Sequence, residues 1–501
     1  MARKAASSKT ARPIWAKRTG GGPSPRMLAY CAGRDVAGRP AADEALIPYD
    51  IWTNRAHCLM LARRGIIDKA AQKAIAKALD QVEARWRAGK FRLDPRLEDV
   101  HINIERAVAA IAGEDVAGVM HTARSRNDQS ATDVRLWLRD RLLGRIEALA
   151  EVVGALAAFA KRHAATVAPG FTHGQPAMPT SLGHWAAAHA YGLARDAFAL
   201  ETLWPMVNQS PLGAAASFGT SWPIDREMSA KLLGFERPVP NSLDAISTRW
   251  EAEARLASTL AIMMTHLSSL GQDLIFHTTP PRHGLRLSQA HVTGSSIMPN
   301  KRNPDFAEVT RARAVAVAGL SQMLATVGRG ALSGYNRDTQ WTKYWIMDLL
   351  DEVGEAPELF GEVVEALEVD KAALAESAAE GFSLAADLAD RLARTRKIPF
   401  RRAYHVIAES VMRDEPHGWI TPDTFNDILA REGIAPLAGV EELAEAGDPA
   451  RAIAERVSMG GPQAEDVLMQ AHALAHEAKD LRARVAACRK GLDAARKKAQ
   501  A

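Results

Sequence analysis

Apolar residues recur every three or four positions along several long stretches of this chain. The clearest stretch contains Val134, Leu138, Leu142, Ile146, Leu149, Val153 and Leu156. Residues at this spacing share one face of a helix, and no proline interrupts the stretch. Patterns of this kind predict five long helices. They cover residues 131–167, 178–207, 241–279, 304–328 and 339–369, the third capped by Asn241 or Ser242.

The chain lacks the set of alternating β-branched runs that would predict a sheet. We therefore predict an all-α fold, in which the five long helices form an elongated central bundle between two smaller helical domains. The predicted domains are residues 1–123, 124–378 and 379–501. From residue 476 onward the pattern predicts a basic helix with a solvated face.

Composition excludes several classes of protein. Of the 501 residues, 47% are hydrophobic and 24% are charged, which rules out a disordered chain. A net charge of +4 is too balanced for a dedicated nucleic-acid binder. The strongly apolar stretch at residues 256–272 is too short to cross a membrane. We expect neither a nucleic-acid partner nor a membrane-bound form.

Cysteine and glycine patterns bear on compartment and cofactors. The three cysteines are far apart, which favours a reducing compartment, and we expect the cytoplasm. There is no P-loop and no Gly-x-Gly-x-x-Gly motif. The histidines at 163, 173, 184 and 189 lack the i, i+4 spacing and the carboxylate partner of a metal site. We expect neither a cofactor nor a metal.

Residues 1–26 contain seven basic residues and no acidic one. They lack the apolar centre of a signal peptide. We interpret them as a disordered basic tail, with an organellar transit peptide as the alternative.

Three polar, glycine-bearing or charged segments lie at the ends of the predicted long helices, at residues 121–129, 170–175 and 293–304. The third segment offers two hydroxyls, the Lys301 cation and the Asn303 amide beside a helix start. Free N–H groups at a helix start favour anions, so this segment suits a carboxylate. Arg126 and Asn127 lie near another helix start and could hold a second one. The hypothesis is a dicarboxylate substrate; helix caps and surface polar residues are the alternative.

The third segment also matches a known signature. Residues 294–304 fit the pattern G-S-S-x-M-P-x-K-x-N-P of the fumarase/aspartase superfamily at every fixed letter. Within that superfamily the chain resembles the argininosuccinate lyase family. The motifs that carry this resemblance are H-T-A-R-S-R-N-D-Q from His121, L-E-D-V-H from Leu97, P-L-G from Pro211, P-I-D-R-E from Pro223, N-S-L-D-A from Asn241 and Y-N-R-D from Tyr335.

The resemblance implies a reversible β-elimination that converts an N-substituted aspartate into fumarate and an amine. It implies that Ser295 is the general base and that Lys301 and Asn303 stabilise an aci-carboxylate intermediate. His173, oriented by Glu308, would position the substrate or assist proton movement. The substrate-binding residues that it implies are Arg126, Asn127, Thr172, Ser296, Tyr335, Gln340 and Lys343.

Spacing gives an independent argument about assembly. Asn127 and His173 bracket a predicted helix of roughly 35 residues, which is about 50 Å long. One small substrate cannot contact both within one chain. If both act at one site, the site is built from different chains, which agrees with the homotetramer that the resemblance implies.

The sequence departs from the family pattern where the amine half of the substrate would bind. Where the family has S-D-R-D, residues 247–250 are S-T-R-W, so two acids are missing. Where the family has Q-E-D-K-E, residues 340–344 are Q-W-T-K-Y, so three more are missing. A-Q-P becomes Ala177 to Pro179, and Arg39 aligns with a family serine. Because a guanidinium favours acidic neighbours, one alternative is a paralogue that acts on aminopolycarboxylates such as ethylenediamine-disuccinate. The family that the chain resembles also includes inactive lens crystallins, so a crystallin-like structural protein is a second alternative.

Overall fold

The computed structural model describes residues 24, 26–27, 30, 42–97, 99–279, 284–437 and 440–500. Most of the predicted tail at residues 1–26, and Arg39, lie outside the described residues. The described part is dominated by helices, with only short strands between them, which confirms the all-α prediction. No helix among the described residues is long and apolar enough to cross a membrane.

The amino-terminal part is a group of short and medium helices that packs against the start of the central bundle. Its helices are α1 (Ile47–Arg63), α2 (Lys69–Arg87), α3 (Val100–Ala112) and α4 (Glu114–Gly118), with 3-10 turns at Ala42–Leu46, Pro95–Leu97 and Val119–His121. Asp68 and Asp99 cap α2 and α3 by accepting backbone N–H groups of the first turn. Most of α1 is buried.

The longest element of the bundle is α5 (Arg126–Arg162), which contains 37 residues. Ser125 and Asp128 form a capping box at its start, so the helix begins five residues before the predicted position. It also ends five residues before the predicted end. The chain then forms an antiparallel hairpin of β1 (Val167–Thr172) and β2 (Gln175–Ser181).

The hairpin corrects the prediction of a helix from residue 178. His173 and Gly174 form its two-residue turn, with φ of 56° and 72°. Positive φ at both turn residues matches a type I′ turn, whose twist fits paired strands. The following helix α6 (Leu182–Glu201) starts only after Ser181, whose hydroxyl caps it.

The third predicted helix is two helices. Asn241 caps α9 (Ser242–Ser247), as predicted, by accepting from two backbone N–H groups. The chain then breaks before α10 (Glu251–Thr278). At this break Arg249 is buried and donates to Ser130 Oγ at 3.2 Å. Between α6 and α9 lie α7 (Trp204–Val207), β3 (Gln209–Ser210), α8 (Arg226–Leu232) and β4 (Arg237–Pro238), with β3 and β4 parallel.

The fourth predicted helix is confirmed as α11 (Asp305–Thr326). The fifth is interrupted, because Gly354 has a φ of 53° between α12 (Asp338–Val353) and α13 (Ala356–Glu365). A two-stranded antiparallel pair, β5 (Leu285–Arg286) and β6 (Glu368–Val369), closes this region. A 3-10 turn at Gln289–His291 precedes the signature segment.

The carboxy-terminal part contains two structures that the sequence analysis treated as one. A small group of helices has its own apolar core around Ile407, Phe425 and Ile428. The helices after α13 are α14 (Lys371–Ala379), α15 (Ala385–Arg396), α16 (Phe400–Asp414), α17 (Pro422–Arg431), α18 (Val440–Ala446) and α19 (Pro449–Ala454), with a 3-10 turn at Glu415–His417. The last helix, α20 (Ala464–Gln500), instead packs along α5 and α6.

The residues from 476 onward form a helix whose basic side chains are mostly exposed, as predicted, while the opposite face of α20 is buried. Leu481, Val485 and Leu492 on this face belong to the same core as α5, α6, α10, α11 and α13. We propose that the carboxy-terminal small domain ends before Ala464. The other predicted domain boundaries stay predictions.

Candidate active site

The start of α5 presents Arg126 and Asn127. Arg126 is exposed, and its Nη1 lies 3.2 Å from Asp99 Oδ2 at the cap of α3. Asn127 is half-buried, and its backbone N–H donates to Ser125 Oγ. The capping box leaves both side chains at the positive end of a long helix, where an anion is favoured.

Asp128 binds a second segment to this helix start. Its Oδ2 accepts from the backbone N–H groups of Gly213 at 2.9 Å and Ala215 at 2.8 Å, and its Oδ1 accepts from that of Ser125. Burial raises the pKa of Asp128 to about 6 in spite of these donors. This role was not predicted from the sequence, although Ser125 and Asp128 have the spacing of a capping box.

The start of α12 lies near the same end of the bundle. Tyr335 Oη donates to Gln340 Oε1 at 2.6 Å. Lys343 is buried and forms an ion pair with Asp43. Asp43 also accepts from the backbone N–H of Val100, next to the Asp99 that pairs with Arg126. This chain of contacts places Lys343 and Arg126 at one end of the molecule.

A buried polar network lies beneath the start of α5. His101 Nδ1 lies 2.8 Å from Asp50 Oδ1, and Gln129 Nε2 donates to the same oxygen at 2.6 Å. Burial opposes ionisation of Asp50, but its contact with His101 outweighs this effect and lowers its pKa. Burial and the neighbouring Asp50 raise the pKa of Asp133. The Asp50, His101 and Asp133 ligand atoms lie close enough together for a metal, and Asp133 Oδ1 accepts from Thr53 Oγ1 at 2.6 Å.

The opposite end of the bundle carries the hairpin. Thr172 and His173 lie at its exposed tip. The rings of Phe171 and Phe276 pack edge to face with centroids 4.8 Å apart. This contact anchors the hairpin to the last turns of α10, which continues toward the signature segment.

The signature segment forms a loop closed at its base. Thr293 and Asn303 exchange two backbone hydrogen bonds of 3.0 and 2.9 Å. Within the loop, Ser295 Oγ accepts from the backbone N–H groups of Met298 at 3.0 Å and Ile297 at 3.3 Å. Donors aimed at an oxygen favour its charged form, so this arrangement suits a serine that loses its proton.

The remaining predicted residues lie on and after this loop. Ser296 and Lys301 are exposed, and Asn303 Nδ2 donates to the Gly294 carbonyl at 3.4 Å. Glu308 is exposed in the first turn of α11. Among the described residues of one chain, no hydrogen bond joins Glu308 to His173.

The predicted site residues thus form two groups within one chain. The hairpin lies past the carboxyl end of α5, whereas Arg126 and Asn127 lie at its start. A helix of 37 residues is about 54 Å long. The loop group lies at the hairpin end, because α10 begins just after Arg249, which contacts Ser130, and reaches Phe276, which contacts the hairpin.

Comparison with known proteins identifies the family. A family model described as "Lyase" matches residues 41–319, and one described as "Argininosuccinate lyase C-terminal" matches residues 382–454. "Argininosuccinate lyase 1" of Mesorhizobium japonicum is 42% identical over 80% of this chain and 85% of its own length. The chain belongs to the argininosuccinate lyase family. Another member, "Argininosuccinate lyase" of Chelativorans sp. strain BNC1, is 38% identical over 92% of this chain and 96% of its own.

Solved structures agree with this membership. The crystal structure of EDDS lyase in complex with formate has a TM-score of 0.87, is 29% identical, and covers 96% of this chain and 95% of its own. An EDDS lyase variant with bound fumarate has the same TM-score at 28% identity, and covers 97% of each chain. This argininosuccinate lyase family member therefore has the fumarase/aspartase fold and is a carbon–nitrogen lyase that produces fumarate.

Proposed function

We propose that this lyase catalyses the reversible β-elimination of an N-substituted L-aspartate of the argininosuccinate type to fumarate and a free amine, which is arginine if the substrate is argininosuccinate itself. The observation that carries this proposal is the loop at residues 293–303. It holds Ser295, Lys301 and Asn303 on a segment closed by paired backbone bonds.

In the proposed reaction, Ser295 Oγ takes the Cβ proton of the substrate. The electron pair moves onto the adjacent carboxylate, which becomes a doubly charged aci-carboxylate. Lys301 and Asn303 supply a cation and an amide N–H to this charge. The Cα–N bond then breaks, the double bond of fumarate forms, and the amine takes up a proton. The backbone N–H groups of Ile297 and Met298 support ionised Ser295.

We further propose that three chains of a cytoplasmic homotetramer complete each site. Ser296 with the loop, and Thr172 with His173, would come from the hairpin ends of two chains. Arg126, Asn127, Tyr335, Gln340 and Lys343 would come from the opposite end of a third. Glu308 would orient His173 across a chain boundary. The separation of about 54 Å along α5 supports this division.

A second candidate substrate is an aminopolycarboxylate such as ethylenediamine-disuccinate. Two observations favour it: the TM-score of 0.87 to EDDS lyase over 96% of this chain, and the acids missing from Gln340 to Tyr344. The reaction steps are the same for both substrates.

The test is release of fumarate, followed by its ultraviolet absorbance, from argininosuccinate and from ethylenediamine-disuccinate. Ser295→Ala is expected to lower kcat at least about 100-fold, since that is the smaller end of a general base's contribution. Its oligomeric state should not change. The matched control is Ser458→Ala, which removes an exposed serine hydroxyl from the carboxy-terminal part. Undiminished activity of Ser295→Ala would exclude it as the base.

A further inference from the structure

The five positions where acids are missing have different environments. Trp250 is partly buried, and its ring packs so closely on Gly328 that an added Cβ would lie 2.3 Å from it. Tryptophan at this position therefore fills space at the end of α11. The change from an acid here serves packing between helices.

Two further positions also have structural explanations. Thr342 is buried, and its Oγ1 donates to the Thr339 carbonyl at 2.9 Å. It lies close to Glu253, a buried carboxyl whose pKa burial raises to about 7. A carboxylate at position 342 would lie beside a second buried carboxyl, which is costly. Thr248 turns back on its own helix, where its Oγ1 donates to the Asp244 carbonyl at 2.8 Å. Neither side chain is directed at a ligand.

Trp341 and Tyr344 have no such explanation. Their rings contact each other with centroids 5.0 Å apart, yet 53% of Trp341 and 39% of Tyr344 are exposed. They occupy successive turns of α12, and their neighbours along the chain are Gln340 and Lys343. An exposed aromatic pair beside polar groups is typical of a binding surface.

The charges around this pair disfavour a cationic ligand. Lys343 Nζ lies 5.0 Å from the centroid of the Tyr344 ring, so a cation already occupies that face. The Asp43 carboxylate is paired with Lys343. Asp338 Oδ1 accepts from the backbone N–H of Thr339 at 2.9 Å. A guanidinium here would lack the three acids that the family pattern has at 341, 342 and 344, and Asp43 is already engaged by Lys343.

We propose that Trp341 and Tyr344 select the amine, and that the preferred amine has an aromatic or apolar body, as in an arylalkylamine, rather than a guanidinium. This inference rests on the proposed elimination reaction, since it concerns the amine half of the same substrate. The aromatic pair packs against the amine's apolar body, while the fumarate half is held by the carboxylate-binding residues.

The test uses the full-length enzyme in the addition direction, with fumarate and one of three amines: 2-phenylethylamine, arginine or ethylenediamine. We expect kcat/KM for 2-phenylethylamine to exceed that for arginine about tenfold, because two aromatic contacts supply roughly that factor. Trp341→Glu combined with Tyr344→Glu should shift this ratio about tenfold toward arginine. The matched control is Phe400→Glu with Tyr404→Glu, another exposed aromatic pair with centroids 6.4 Å apart.

The possible results distinguish failure of this inference from failure of the proposed function. A wild-type preference for arginine, or an unchanged ratio in the Trp341/Tyr344 variant, would overturn the inference and leave the elimination reaction standing. Dissociation of the oligomer by that variant, with none from the control pair, would show that the pair is a subunit contact and would also overturn it. Fumarate consumption with none of the amines would contradict the proposed function itself. If the double variant does not fold, Trp341→Gln and Tyr344→Gln test the same ratio singly.

Discussion

Asp128 joins two segments that are far apart in sequence. Its buried carboxylate accepts from Ser125 at the start of α5 and from Gly213 and Ala215 in the segment after β3. Ala215 has a φ of 52° and nearby Ser217 a φ of 106°, which are unfavourable for residues with a Cβ. Such a conformation persists where surrounding contacts impose it. Asp128 is therefore a positioning residue for the neighbouring Arg126 and Asn127.

We predict that Asp128→Asn raises KM for the substrate about tenfold, because the amide cannot replace all three acceptor contacts of the carboxylate. The pKa of Asp128 is raised to about 6, so lowering the pH through that value protonates it and weakens the same contacts. Wild-type KM should therefore rise below about pH 6, and Asp128→Asn should lack this limb.

Protonation of Asp128 is expected to have the opposite effect on the stability of the fold. Because burial raises this pKa above that of the unfolded chain, the ionised carboxyl costs stability at neutral pH, and protonation removes that cost. Acid should weaken substrate binding through Asp128 without unfolding the protein through it. KM measured against pH, with Asp448→Asn as a capping control outside the site, checks this. A pH limb that survives in Asp128→Asn would assign it to another group.

The junction between hairpin and bundle depends on close approach of α5 and α6. A Cβ added to Gly183, near the start of α6, would lie 2.6 Å from the Ala160 carbonyl oxygen and 2.8 Å from Ala164 Cα. Both contacts are with backbone and cannot rotate away. Gly144, in the interior of α5, has nothing within 4 Å of such a Cβ. Substitution of these two glycines by alanine is therefore expected to change stability in opposite directions.

We predict that Gly183→Ala lowers stability by roughly 1–3 kcal/mol through overpacking. Gly144→Ala should raise it by about 0.5–1 kcal/mol, since alanine favours a helix interior. Thermal midpoints measured at one protein concentration check both changes. A stabilising Gly183→Ala would show that α5 and α6 can separate at no cost.

Periodicity could predict α5 and α11 because their apolar faces are local patterns in the sequence. It could not predict the hairpin, which depends on His173 adopting a positive φ. Nor could it predict the break before α10, where Trp250 packs on Gly328, 78 positions later in the chain. The motifs supplied the proposed site residues, but Asp128 became visible only through its contacts with Gly213 and Ala215.

At the scale of the whole molecule, the proposed site residues divide between two ends of the bundle. Ser295 and Lys301 share one loop, whereas Asn127 lies at the far end of α5. In the proposed assembly, each chain therefore contributes two separate parts of the active site. The helical bundle lies between the two groups of residues, and α20 packs along it, so the bundle fixes the distance between the groups within one chain.

We predict that mixing two inactive variants restores activity if their changes lie at opposite ends. When Ser295→Ala and Asn127→Ala chains are assembled together in equal amounts, about one quarter of the sites should contain both an unaltered Ser295 and an unaltered Asn127. The control is Ser295→Ala mixed with Lys301→Ala, whose changes share one loop and should restore nothing. Fumarate release after joint refolding measures both. Failure of the first mixture would mean that Ser295 and Asn127 do not act at the same site.

The length of α5 sets the distance between the two groups of proposed site residues within one chain. One residue inserted at its centre would move the hairpin about 1.5 Å further away and turn it by about 100° relative to Arg126 and Asn127. It would also shift α5 against α20, which is likewise 37 residues long. In the proposed homotetramer, copies of this chain could therefore replace one another only if their α5 helices had the same length. Under that proposal, duplicated genes that acquire different α5 lengths would sort into separate oligomers before any surface residue changes.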